Sequence, residues 1–414
     1  MLTTITVQAA VRAFIVDCAP THQQEDANAW ASRNSGVGNI IGYLCGYVNL
    51  PKVVPFLGHT QFQALCAIAS VALLGTLGIS CAYIKEQDPR VHGDPSVQRA
   101  GVIGFFKDLY LSMRRLPPQI VRVCQVQFFA WMGWFPFLFY ITTYVGELYV
   151  DPIFEEKPNM SDKDIDKTWE KATRLGTFAL LIFAITTFAS SVFLPMIVAS
   201  TYKPPTLAPA TPLTPTTPGS LSASGYFSAK TVKTNPTSRW RQYVRLVRHQ
   251  FRLDALTLRR AWLLSHIFFA ACMWLSFAVR TTFGASFLVG LVGIPWALTQ
   301  WAPFALISAE ISKRDAIRRG LIRAPPTDDG VLLASGEDDK ADQAGVVLGI
   351  HNVAIAAPQV LATLVSSAIF HALQKPRGTP GDESVAWVLR FGGLCALVAA
   401  YMTRRVSEEK VGVK

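Results

Sequence analysis

Charged side chains are scarce in this sequence. Asp, Glu, Lys and Arg make up 16% of its 414 residues, whereas they make up about 25% of an average globular chain. Half of the residues are apolar, and the mean hydropathy of +0.29 is high for a soluble protein of this length. The composition therefore argues against a water-soluble helical protein.

Residue patterns that support catalysis or metal binding are also missing. The seven cysteines occur singly, most of them inside apolar runs, and no C-x-x-C spacing joins them. We interpret them as small core residues rather than as disulfides or metal ligands. No nucleophile–base pair and no metal-spaced cluster of His, Cys and Glu lies at the end of an apolar run. The sequence predicts neither an enzyme nor a resident cofactor.

Long apolar runs dominate the chain. A membrane-spanning helix needs about 20 mostly apolar residues. Eight runs reach or approach this length, namely 34–50, 62–84, 118–146, 174–199, 261–279, 283–308, 345–372 and 385–403. Residues 2–16 form a shorter ninth run, which would span only about 22 Å as a helix. We therefore predict an all-α, polytopic membrane protein with about nine transmembrane helices.

The basic residues predict how the helices are oriented. Lys and Arg concentrate in loops on the cytoplasmic side of a membrane, and here they cluster in 85–117, 200–260, 309–344 and the tail 404–414. The segment 147–173 is acidic. The C-terminus is therefore expected in the cytoplasm. The net charge of +11 reports this topology, and we expect no nucleic-acid partner, because no basic and aromatic residues interleave on a soluble domain.

The predicted loop 200–260 has two parts. Its first part, "TYKPPTLAPATPLTPTTPGSLSASG", is rich in Pro, Thr and Ser and is expected to be disordered. Its second part, "SRWRQYVRLVRHQFRLDALTLRR", is basic and amphipathic. Such a segment fits the inner leaflet of a membrane, and a calmodulin-type target helix is the alternative.

Polar side chains interrupt several apolar runs, and each has two interpretations. Asn39, Gln127 and the pair His351–Asn352 lie at membrane depth, where they either pair for packing or contact a substrate. Trp131 belongs to an aromatic run with scattered amides and hydroxyls, a combination that suits a sugar, although aromatic rings also face lipid. His351 could relay protons, because histidine titrates near neutral pH.

Charged side chains in the runs raise the same question. Arg12 lies in the apolar stretch "VQAAVRAFIVDCAP", and an arginine in a membrane needs a partner or a water-filled cavity. It either contacts a substrate or forms a structural ion pair, for example with Asp17. Glu147 lies near the end of another apolar run.

Four segments resemble those of one known family: "VRAFIVDCAPTHQQEDANAWASRNSGVGNIIGYLCGY", "WMGWFPFLFYITTYVGELY", "GIPWALTQWAPFALISAEIS" and "GVVLGIHNVAIAAPQVLATLVSSAIF". They resemble segments of the sucrose/α-glucoside proton symporters. These belong to the glycoside–pentoside–hexuronide:cation symporter group of the major facilitator superfamily, and the likeness is greatest to fungal members. The resemblance implies two six-helix bundles around a central sugar site.

On this plan, residues 2–16 resemble the fourth of twelve spans. Residues 1–84 would then form a partial N-terminal bundle of three spans, 85–117 the central cytoplasmic loop and 118–403 the complete C-terminal bundle. The first three spans are expected to be missing from this sequence, and with them the family's proton-titrating carboxylate, which would lie near the position of Met1. The family's "RAF…D" motif matches Arg12, which would contact the sugar, and Asp17. Plant members of the family carry acidic residues around the position of "ITTYVGELY", where Glu147 is the remaining charge. The resemblance therefore implies that Glu147 contacts the substrate, and the alternative is a surface carboxylate at the helix end.

The sequence therefore predicts proton-coupled symport of a sucrose-like or maltose-like disaccharide, with the proton as the coupling ion and no cofactor. The expected substrate-binding residues are Arg12, Asn39, Gln127, Trp131, Glu147 and Asn352, and those for proton coupling or gating are Asp17 and His351. We expect a monomer in a lipid bilayer, in the plasma membrane rather than the vacuolar membrane. The alternative is a sugar sensor or a truncated product without transport activity.

Overall fold

The structure is a computed structural model that describes residues 24–84, 113–114, 116–199, 253–318 and 344–407. These ranges contain eight long helices, one for each of the eight long apolar runs: α1 Gln24–Tyr47, α2 Gln61–Tyr83, α3 Pro118–Glu156, α4 Asp162–Ile197, α5 Leu258–Leu275, α6 Thr282–Arg318, α7 Ala344–Leu373 and α8 Ser384–Thr403. The ninth run, 2–16, lies outside the described residues.

The fold is all-α, as the sequence predicts, apart from one small parallel sheet. β1, Val198–Ala199, directly follows α4, and β2, Leu253–Thr257, directly precedes α5. Val198 lies opposite Leu253. The sequence predicts a loop over 200–260, but its last residues form β2 and the start of α5, because the end of α4 supplies a backbone partner. Residues 200–252, including the segment expected to be disordered, lie outside the described part of the chain.

Six of the helices are long and apolar enough to cross a membrane, within the described residues. They are α2, α3, α4, most of α6, most of α7 and α8. α5 has only 18 residues, with two arginines in its first turn, and α1 has Glu25 and Asp26 in its first turn, so neither is among the six. The helices and their apolar surfaces identify a multi-pass membrane protein.

Capping side chains determine where several helices begin. Thr60 and Gln63 form a reciprocal capping box at the start of α2. Ser161 accepts a hydrogen bond from the backbone N–H of Asp164 at 3.3 Å before α4, and Thr257 accepts one from Arg260 at 3.3 Å before α5. Each cap satisfies a backbone donor that the first helical turn leaves unpaired.

Proline does not interrupt the helices where the sequence suggests a break. Proline inside a helix removes a backbone hydrogen bond and normally breaks or kinks the helix, yet α3 continues through Pro136 and Pro152 to residue 156. With 39 residues, α3 is about 58 Å long. It therefore exceeds the roughly 30 Å hydrocarbon core of a bilayer, and at least one end extends beyond that core.

Close contacts between helices hold α3, α4, α5, α6 and α8 in one bundle. A Cβ added at Gly133 of α3 would lie 2.5 Å from the carbonyl oxygen of Gly392 in α8. A Cβ added at Gly293 of α6 would lie 2.7 Å from the carbonyl oxygen of Phe183 in α4. Glycine permits both contacts because it has no side chain to separate the backbones.

An aromatic cluster fills the centre of this bundle. Trp134 is fully buried, and its ring centroid lies 4.1 Å from that of Phe269 and 4.9 Å from that of Trp296. Phe137 lies 5.5 Å from Phe183. The cluster joins α3, α4, α5 and α6, so it fixes the positions of the polar side chains that α3 carries.

α1 and α2 are attached at the side of the bundle. α1 packs against α4 and α6, with Gly46 close to Thr177 of α4. The Gln61 amide of α2 donates hydrogen bonds to the carbonyl oxygens of Cys45 and Val48, at 3.0 and 2.8 Å, and accepts one from the N–H of Leu50 at 3.0 Å. Most of α2 is exposed.

Candidate substrate site

A polar pair lies buried between α3 and α7. Gln127 is 1% exposed and His351 is 0% exposed, and their Nε2 atoms are 3.2 Å apart. The amide Nε2 can only donate, so in this orientation the His351 Nε2 accepts, and a neutral ring carries its proton on Nδ1. The Phe304 ring of α6 contacts His351 edge-on at 5.0 Å, which places the pair at the meeting point of three helices.

Two buried polar atoms, one in Gln127 itself and one in a neighbouring side chain, have no hydrogen-bond partner among the described residues. They are the Oε1 acceptor of Gln127 and the Nε1 donor of Trp131. The two residues are one helical turn apart on α3. Leaving such a group unpaired in an apolar interior costs about 1–3 kcal/mol, so each atom needs a partner that these residues do not supply.

Trp131 also connects the polar pair to the aromatic cluster. Its ring lies 5.9 Å from that of Trp296, at an interplanar angle of 71°. Gln127, Trp131 and His351 are therefore brought together, with an apolar surface on one side. An aromatic surface beside an amide and an imidazole is chemically suited to the C–H faces and hydroxyl groups of a sugar.

Glu147 lies far from this cluster. Twenty positions of the continuous helix α3 separate it from Gln127, a distance of about 30 Å along the axis. One disaccharide cannot contact both side chains, because each contact requires hydrogen-bond distance from the same small ligand. The predicted set of substrate-binding residues is therefore split between two places in α3.

Glu147 lines a separate cavity of about 420 Å³. The cavity lies between the second half of α3, the start of α4 and the connection between α7 and α8. Three carboxylates and several aromatic rings contribute to its wall, among them Tyr140, Glu147, Asp151, Trp169, Phe370 and Asp382. Tyr140 and Phe370 contact each other with ring centroids 5.0 Å apart.

The remaining site residues within the described part of the chain, Asn39 and Asn352, do not join either place. Asn39 of α1 and Asn352 of α7 are both exposed. Asn352 points away from the interface that buries its neighbour His351, because consecutive helical residues are rotated by about 100°. Arg12 and Asp17 lie outside the described residues, so their predicted roles stay predictions.

Sequence reasoning missed a buried arginine in α8. Arg390 is 7% exposed, and its guanidinium lies 3.7 Å from the centroid of the Phe277 ring. It donates to Ser276 Oγ at 3.2 Å and pairs with Glu383 Oε2 at 3.4 Å. The criterion applied to Arg12, a charge within an apolar run, would also have identified Arg390 in "VAWVLRFGGLC".

Comparisons with known proteins identify the family. No family model matches the sequence. The chain is 35% identical to the general alpha-glucoside permease of Schizosaccharomyces pombe, over 97% of this chain and 70% of the permease. It is 34% identical to the MFS-type transporter cctQ of Talaromyces islandicus, over 37% of this chain and 54% of that protein.

A plant protein is also similar. The sucrose transport protein SUT3 of Oryza sativa subsp. japonica is 29% identical over 45% of this chain and 37% of its own length. The match to the yeast permease includes nearly every residue of the chain, and the helices agree with a polytopic transporter. The chain belongs to the sucrose and α-glucoside transporter family of the major facilitator superfamily.

Proposed function

We propose that this protein carries a sucrose-like or maltose-like disaccharide across a membrane together with a proton. The names of its relatives, an alpha-glucoside permease and sucrose transport proteins, support a sugar substrate. The alignment spans 70% of the yeast permease, so the activity of the whole relative is part of the proposal. Proton coupling follows from the family resemblance.

The observation that carries the proposal is the pair of unpartnered atoms at Gln127 and Trp131. A sugar hydroxyl can donate to the Gln127 Oε1 and accept from the Trp131 Nε1, because a hydroxyl is both donor and acceptor. The adjacent aromatic surface would contact the apolar face of the sugar ring. Gln127 and Trp131 are therefore assigned to sugar binding, and His351 orients the Gln127 amide.

The other predicted residues keep secondary roles in this proposal. Arg12 would bind sugar oxygens from the N-terminal bundle through its planar guanidinium, with Asp17 near it as a coupling or gating group. Asn39 and Asn352 are exposed on the described helices, where they would contribute only from the side that faces the other bundle. In this proposal Glu147 does not contact the sugar, because about 30 Å of helix separates it from Gln127.

The proposal includes an orientation and a location. The basic connections between α2 and α3, α4 and α5, and α6 and α7 would lie in the cytoplasm, together with the C-terminal tail. α3 would then run outward from residue 118, and the cavity at Glu147 would open to the outer side. We place the protein in the plasma membrane as a monomer.

The test is uptake of radiolabelled sucrose and maltose into proteoliposomes with a more acidic exterior. Wild-type protein is expected to accumulate one or both sugars, and a protonophore should abolish accumulation. Gln127→Met keeps the side-chain length but removes the amide, and loss of one hydrogen bond of about 1.4 kcal/mol lowers kcat/KM about tenfold. Gln125→Met is the matched control, because Gln125 is exposed on the same helix.

Two results would contradict the proposal. Equal uptake by Gln127→Met and Gln125→Met would remove the buried amide from the sugar site. Sugar binding to the purified wild-type protein without any uptake would instead identify a sensor.

Trp131→Phe provides a second check, because it keeps an aromatic ring but removes the Nε1 donor, and it should also lower kcat/KM.

A further inference from the structure

The cavity at the outer end of α3 contains a carboxylate with no visible partner. Glu147 is 9% exposed, lines the cavity, and forms no hydrogen bond or ion pair with the described residues. A carboxylate that is nine-tenths buried needs a hydrogen-bond donor, a cation or a proton. This requirement is independent of the family resemblance, because it follows from burial and contacts alone.

The two neighbouring carboxylates are engaged with backbone donors. Asp151, one turn beyond Glu147 on α3, accepts a hydrogen bond from the N–H of Gly381 at 3.2 Å. Asp382 accepts from the N–H of Ser384 at 2.8 Å and from the N–H of Lys375 at 3.1 Å. Both carboxylates interact electrostatically with Glu147, so a charge on Glu147 is repelled from two sides.

The described cations around the cavity are directed elsewhere. Lys375, in the connection between α7 and α8, donates its Nζ to the carbonyl oxygen of Pro380 at 3.1 Å. Arg377 of the same connection pairs with Asp166 of α4. Arg390 of α8 pairs with Glu383.

The hydroxyl group of Tyr144, which lies on α3 near Glu147, also has another partner. It points to the carbonyl oxygen of Ser276 at 3.4 Å. None of these contacts neutralises Glu147.

We propose that Glu147 binds a proton from the outer solution and is a coupling carboxylate of the transporter. The inference rests on the proposed symport. One carboxylate oxygen forms an O–H bond with a proton that a hydronium ion at the cavity mouth gives up, and no electrons are exchanged. This proton site is separated from the sugar site by the length of α3 between Gln127 and Glu147.

The surrounding contacts connect this proton to a structural change. Asp151 and Asp382 hold the connection between α7 and α8 against α3 and α8 through their backbone hydrogen bonds. Protonation of Glu147 removes its repulsion from both carboxylates and favours a closed cavity. Loss of the proton restores the repulsion and favours separation of this connection from α3.

The experiment compares two assays on Glu147→Gln, which imitates the protonated carboxyl group. Counterflow of labelled sugar requires no net proton movement, whereas accumulation in a pH gradient does. The variant is expected to keep counterflow but to stop accumulation once the internal sugar equals the external sugar. Glu156→Gln is the control, because Glu156 is exposed at the end of the same helix, and it should perform both reactions.

Each alternative outcome has a defined meaning. Uphill accumulation by Glu147→Gln would overturn the inference. Loss of counterflow would also overturn it, provided that the purified variant is folded and monodisperse. Failure of both assays in the wild-type protein would reject the proposed function instead. In that case, infrared difference spectra between acidic and alkaline buffer test Glu147 directly. A carboxylic-acid C=O band that Glu147→Gln lacks supports proton binding, and identical spectra overturn it.

Discussion

The bundle of α3–α6 and α8 and the flanking helix α2 use apolar residues in opposite ways. In α6 and α8, 61% of the most apolar stretch is buried, whereas in α2 only 6% is buried, although α2 has the higher mean hydropathy. In water this arrangement would be unfavourable, because α2, which with α4 has the highest mean hydropathy of the six helices, would be the most exposed of them. In a membrane it is stable, since lipid tails are as apolar as leucine side chains.

The comparison separates two contributions to stability. In the bundle, specificity comes from packing, with rings and glycine contacts that only certain side chains satisfy. In α2, hydrophobicity determines insertion, while the described contacts with α1 are few and centre on Gln61. Truncations to alanine should therefore have larger effects in the bundle than in α2.

The largest effect is expected at the aromatic cluster. Trp134→Ala should lower the free energy of unfolding by about 3–5 kcal/mol, because the ring is 1% exposed and contacts rings from two other helices. The control is Leu74→Ala in α2, where Leu74 is 70% exposed. It should change stability by less than about 0.5 kcal/mol. Unfolding of purified protein in detergent, followed by fluorescence or size exclusion, measures both; similar losses would contradict the distinction.

A smaller effect is expected at the crossing of α3 and α8. Gly133→Ala should cost about 1–3 kcal/mol, because the new Cβ would lie 2.5 Å from the carbonyl oxygen of Gly392. The Cβ of Gly75→Ala in α2 would meet none of the described residues within 4 Å, and the substitution should stabilise the helix by up to about 1 kcal/mol. The same unfolding assay should show shifts of opposite sign. A stable Gly133→Ala variant would mean that the helices can separate without loss.

The sequence predicted which segments form helices better than it predicted how these helices pack against one another. Apolar runs of membrane length identify α1–α8, because insertion depends on local composition. The separation of Gln127 from Glu147 was harder to predict from the sequence, because Pro136 between them could have broken the helix. Only the continuous helix α3 shows how far apart the two residues lie. The exposure of Asn39 and Asn352 could not be predicted, because it depends on which faces of α1 and α7 other helices cover.

The glycines of α1 give the smallest and most informative effect. Gly38, Gly42 and Gly46 recur every fourth residue, so the sequence suggests one packing face. Of these three glycines, only Gly46 lies close to another of the described residues, because a Cβ added there would lie 2.8 Å from Cγ2 of Thr177. Cβ atoms added at Gly38 and Gly42 meet nothing within 4 Å among the described residues.

Gly46→Ala should therefore destabilise the protein by about 1 kcal/mol, the lower end of the range for overpacked contacts. Gly42→Ala should be neutral or stabilising by a few tenths of a kcal/mol, because alanine has the higher helix propensity. The pair is measured by unfolding of the two variants in the same lipid or detergent. A loss at Gly42 equal to that at Gly46 would show that another segment covers this face of α1. In that case the face of α1 that carries Gly42 would be packed like the bundle. Only α2 would then differ from the bundle in its packing.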